Sequence, residues 1–96
     1  MDKLKKYFNH SGWKAYQAKR DSGIVRYAIG DDFILIHFKE TKDIYIYNYD
    51  ATGVEPVEKM KLLAVKGEGL ATFINQVVHD KYFERAPIEF FTREYS

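Results

Sequence analysis

Three histidines, His10, His37 and His79, are the side chains of this chain best suited to carry protons near neutral pH. They are scattered along the sequence. None begins a His-x-x-x-His or His-Glu-x-x-His spacing, and no Gly-x-Ser-x-Gly turn or phosphate loop supplies a nucleophile or an anion cradle. His37 is the best placed of the three, because a strand could hold it beside tyrosines in a pocket. Cysteine is absent, which removes thiolate nucleophiles, disulfides and thiolate metal sites together. Asp31-Asp32 could meet a cation, but adjacent acids in a turn ordinarily cap or solvate it. The chemistry-bearing residues therefore predict a protein that is not an enzyme, with no cofactor and no metal.

Two binding constellations compete with that negative. The first is basic and aromatic. Residues 1–20 carry six cations, Lys3, Lys5, Lys6, Lys14, Lys19 and Arg20, against Asp2 alone, while the remaining 76 residues carry nine cations against thirteen acids. Such an arm could touch phosphates, and Tyr45 and Tyr47 on one strand face could stack unpaired bases. The segment 62–69 resembles a helix-hairpin-helix turn, in which Lys66, Gly67 and Gly69 would bring backbone amides to a phosphate. Glu68 stands where that motif prefers an aliphatic residue, and its carboxylate would repel the anion. The second constellation is aromatic alone. With sixteen aromatic residues in 96, Tyr49, Phe90, Phe91 and Tyr95 are candidates for a patch that recruits a protein partner or a second copy. Association with protein is the leading expectation and RNA binding the alternative.

The elements that must position these residues are legible in outline. Hydrophobic residues make up 46% and charged residues 30%, the balance of a folded chain long enough for one core. No apolar run approaches the roughly 20 residues needed to span a bilayer, and the basic start is followed by no apolar leader or cleavage site, so the reading is a cytoplasmic protein with no membrane contact. Leu4, Tyr7 and Phe8 suit a short amphipathic helix; Trp13 and Tyr16 fit either helix or an extended arm. Residues 24–29, 33–38 and 44–49 are rich in β-branched and aromatic types and are separated by turn residues, which predicts three antiparallel strands. Pro56 suits a first helical turn, with Val57, Met60 and Ala64 as the inner stripe of a helix over 55–65. Leu70, Phe73, Ile74, Val77, Val78 and Tyr82 then recur at helical spacing, and Pro87 limits that helix to ending by Ala86. The expected fold is α+β: a three-stranded antiparallel β-meander packed against two C-terminal helices. A basic arm or short helix would occupy 1–21, the core domain 22–86 and a tail 87–96.

The order of strands, then Tyr45-Ile46-Tyr47, then two helices carrying Ile74-Asn75 with Val78 and Tyr82, resembles the KTSC domain over about residues 22–84. That family includes small bacterial proteins and an appendage of some lysyl-tRNA synthetases. Its naming Lys-Thr-Ser-Cys tetrad is absent here, and Lys66-Gly67-Glu68-Gly69 replaces the usual Ser-x-Gly. The resemblance implies an association with RNA-linked proteins and no catalytic residue.

Overall fold

The apolar alternation of the central strands has a consequence that the chain must resolve: both faces of the sheet are greasy, so both need cover. A computed structural model, which describes residues 2–8, 12–18 and 22–92, shows how this is done. In chain order the elements are a 3-10 turn (Asp2–Leu4) leading into α1 (Lys5–Phe8), then β1 (Trp13–Ala15), β2 (Ile24–Ile29), β3 (Phe33–Phe38) and β4 (Asp43–Asn48). There follow α2 (Tyr49–Thr52), α3 (Val54–Lys66), α4 (Leu70–Phe73) continuing into a π turn (Ile74–Val78), β5 (Glu84–Pro87) and α5 (Glu89–Thr92). The five strands form one antiparallel sheet in the order β1-β2-β3-β4-β5.

One face carries Tyr27, Ile34, Ile36 and Tyr47, packed beneath Val57, Met60 and Ala64 of α3 and Leu70, Ile74 and Val78 that follow. The opposite face carries Ala28, Leu35, Ile44, Ile46 and Ala86, covered by Leu4 and Tyr7 from the N-terminal turn and Phe91 from α5. The three-stranded meander with helices on one side is therefore incorrect. The sheet has five strands, and the segments read as arm and tail supply β1 and the cover of the second face. The helix expected to run from Leu70 past Tyr82 also ends early. Its backbone widens into the π turn, where His79 N–H donates to Ile74 C=O at 2.6 Å, and His79 turns away at φ 55°. Tyr82 still meets the core as the helical spacing demands, but from an extended approach, its ring edge-on to Tyr45 at 4.8 Å. The chain then lies along the free edge of β4 as β5, beginning with Phe83 N–H donating to Ile46 C=O at 2.7 Å. The reason is that a bare strand edge leaves a row of amides and carbonyls to be paired, and this outweighs the weak strand propensity of Glu84-Arg85-Ala86-Pro87.

Asn48 joins the layers. At the end of β4 its Oδ1 accepts from Ala51 N–H at 2.9 Å, capping α2, while its buried Nδ2 donates to the Tyr7 hydroxyl at 3.2 Å. Asn48→Ala removes a cap and leaves the Tyr7 hydroxyl without its donor, which is expected to lower unfolding stability by about 1–3 kcal/mol. A urea titration of the variant against the wild type checks this.

Candidate functional site

Two of the N-terminal basic residues, Lys3 and Lys6, are held by neighbours of opposite charge. Lys3 Nζ pairs with Glu84 at 3.2 Å and lies 5.4 Å from the Phe83 ring centre. Lys6 Nζ pairs with Asp32 at 3.5 Å, over the rings of Tyr7 and Phe33. Lys6, Asp31, Asp32 and Phe33 line a shallow open depression at the β2–β3 turn, so the acidic pair of that turn faces a lysine. Lys5 and Lys14 are exposed, while Lys19 and Arg20 lie outside the described residues.

The aromatic strand face is taken up by the fold. Tyr47 is 1% exposed beneath the helices, where burial pushes its hydroxyl well above the ordinary tyrosine range, and it presents no ring to a base. Tyr45 is half-buried, edge-on to Phe38 and Tyr82, and its hydroxyl accepts from Arg85 Nη1 at 2.9 Å. The Gly-x-Gly turn is equally committed. Gly67 closes α3 in the left-handed region at φ 77°, and its N–H donates to Leu63 C=O at 2.9 Å. The segment that follows β1 lies against this turn: Leu70 N–H, at the start of α4, donates to the Tyr16 hydroxyl at 3.3 Å. An amide that the hairpin motif would offer to phosphate is thus already paired, and Gly69 and Lys66 remain exposed beside it.

The aromatic patch expected from Tyr49, Phe90, Phe91 and Tyr95 divides in the same way. Phe91 is fully buried, with Phe8 edge-on at 5.0 Å and Trp13 at 6.3 Å, so it belongs to the core. Phe90 is half-buried against Phe8 at 5.5 Å. Tyr95 lies outside the described residues. Tyr49 is different: its hydroxyl donates to Glu58 Oε2 on α3 at 2.5 Å, and Lys61 Nζ reaches the same carboxylate oxygen at 2.8 Å and the Asp31 carbonyl at 2.8 Å. The Lys61 and Tyr49 hydrogen bonds hold the Glu58 carboxyl below its usual range, and the Glu58 bond raises the Tyr49 hydroxyl. This network ties the β2–β3 turn to α3.

Around that network sits a surface that the sequence reading did not single out. Val54, Leu62 and Val65 are 53%, 68% and 71% exposed. At 100° per residue they share one flank of α3 with Glu58, rotated away from the buried stripe of Val57, Met60 and Ala64. The signal was present: Leu62 and Val65 do not fall on the inner stripe, and on a helix with one buried face they had to be exposed. The free edges of the sheet are poorer docking sites, because β1 has only three residues and β5 only four, one of them Pro87.

Of the three histidines the structure describes His37 and His79. His37 lies on the second face of the sheet opposite Arg26, with Nε2 3.3 Å from the Thr41 carbonyl. Burial lowers its pKa, the Arg26 charge lowers it further, and the Thr41 bond opposes both. His79 is exposed at the end of the π turn, and His10 is outside the described residues. Because the unfolded chain takes up a proton at His37 before the folded one does, stability is expected to fall as the pH drops below about 6.5. An NMR titration should place the His37 midpoint below that value, and His37→Gln should flatten this part of the stability profile. Among the described residues no group of His, Asp or Glu could hold a metal ion, and no helix is long and apolar enough to cross a membrane. No family model, curated protein or solved structure matches this chain.

Proposed function

We propose that this chain is a non-enzymatic protein-association module whose docking surface is the exposed flank of α3. The observation that carries the reading is the trio Val54, Leu62 and Val65, three aliphatic side chains more than half exposed on one side of the longest helix. Scattered exposed aliphatics are ordinary, but aligned on a rigid element they offer an apolar strip, broken at its centre by Glu58, whose carboxylate is held by Tyr49 and Lys61. The Tyr49–Glu58–Lys61 network stiffens its base, which lowers the ordering cost of association.

Sedimentation at rising protein concentration, in low and then moderate salt, tests this against RNA binding. An apolar strip predicts association that persists in salt and is lost in the double variant Leu62→Asp/Val65→Asp. Anisotropy of a labelled single-stranded RNA should stay flat on adding protein. Salt-sensitive RNA binding without protein association would favour the alternative, in which exposed Lys5 and Lys14 act with residues 19–20 on phosphate.

A further inference from the structure

Resting on the reading of the α3 flank as a docking surface, we infer that its partner is a second copy of this chain, with the two α3 helices packed antiparallel about a twofold axis near Met60. The charge order along α3 points to this arrangement. Glu55 lies in the first turn and Lys66 in the last, both exposed, and helical spacing puts both on the margin of the strip next to Leu62.

At a rise of about 1.5 Å per residue, an antiparallel pair centred on Met60 aligns each level of one helix with a complementary level of the other. Val54 of one copy comes within about 1.5 Å, along the axis, of the level of Val65 of the other. Glu55 of one copy meets Lys66 of the other with the same small offset, twice by symmetry. The two Leu62 side chains flank the axis, about 6 Å apart along it. Glu58 of one copy falls at the level of Leu62 of the other, its carboxylate already held by Tyr49 and Lys61 of its own chain. A parallel twofold pair would instead carry the Glu55 and Lys66 margins of the two copies to opposite sides of the seam, where neither residue meets its complement. The surface is thus self-complementary under a twofold axis, the condition for a closed isologous dimer rather than an open chain of subunits. Three aliphatic residues per copy place it among small, transient interfaces, so the dimer forms at high protein concentration.

Charge reversal tests the pairing. At low ionic strength, Glu55→Lys and Lys66→Glu should each weaken dimerisation by about tenfold, since each turns two attractive contacts into repulsive ones. The double variant Glu55→Lys/Lys66→Glu should restore wild-type dimerisation, and so should an equimolar mixture of the two single variants. Both substitutions oppose the helix dipole, so thermal stability should fall in each single variant and further in the double. Recovery of association against that trend cannot come from folding. If the wild type dimerises and Leu62→Asp/Val65→Asp abolishes it, but neither the double variant nor the mixture recovers, the flank stands as the docking surface and the antiparallel pairing is wrong. A wild type that stays monomeric to millimolar concentration overturns both.

Discussion

Gly67→Ala is expected to be among the most damaging single substitutions in the chain. Two independent costs meet there. The residue sits at φ 77°, where an added Cβ costs about 1–2 kcal/mol. That Cβ would also lie only 2.3 Å from the carbonyl oxygen of Gln17, a backbone atom that can yield only if the whole segment after β1 withdraws. Overpacking of this kind adds about 1–3 kcal/mol. Withdrawal would also break the bond from Leu70 N–H to the Tyr16 hydroxyl, so the loss should extend beyond the turn. Against a total stability of about 5–15 kcal/mol for a domain of this size, the variant should unfold at much lower urea. Amide exchange should show β1 released first. If only the α3–α4 turn is perturbed, the segment after β1 does not depend on Gly67.

Phe91→Ala should cost about 3–5 kcal/mol, the usual loss for emptying a large buried aromatic site. The side chain is fully buried between Phe8 and Trp13 over the second face of the sheet, so its removal uncouples α1, β1 and α5 at once. Trp13 is the single tryptophan, which makes its fluorescence a direct reporter of this cluster. A solvent-exposed recruiting residue would behave oppositely: its replacement would leave stability within about 0.5 kcal/mol. Urea unfolding followed by Trp13 emission separates the two outcomes.

These two residues also mark where the sequence was and was not readable. The central strands were legible because Ile24–Ile29 and Phe33–Phe38 combine strand-favouring types with turn residues at both ends, and the structure pairs them as expected. Helix α3 was legible from Val57, Met60 and Ala64. The edge strands were not. Trp13-Lys14-Ala15 and Glu84-Arg85-Ala86-Pro87 are too short and too polar to announce themselves, and they become strands because β2 and β4 would otherwise leave their outer backbone groups unpaired. Helical spacing from Leu70 to Tyr82 named residues that reach the core, apart from Val77, which is exposed, but spacing alone cannot show that Tyr82 arrives by a different backbone path. The double apolar character of β3 implied cover on both faces; reading Leu4, Tyr7 and Phe91 as periphery hid where the second cover came from.

The site residues follow the same division. Tyr47 and Phe91 were attractive as binding residues because of their type, and the core claims the same types for the same reason. Tyr49 lies beside the α3 flank through its bond to Glu58, while the flank itself required knowing that the opposite stripe of α3 is buried.

Amide spectra of isotopically labelled protein, recorded from micromolar to millimolar concentration at moderate salt, test the α3 surface most directly. Concentration-dependent shifts confined to Tyr49, Val54, Glu58, Leu62 and Val65, absent in Leu62→Asp/Val65→Asp, are the predicted result. Shifts centred on β1 or β5, or on Lys3 to Lys6, would place association elsewhere and contradict it.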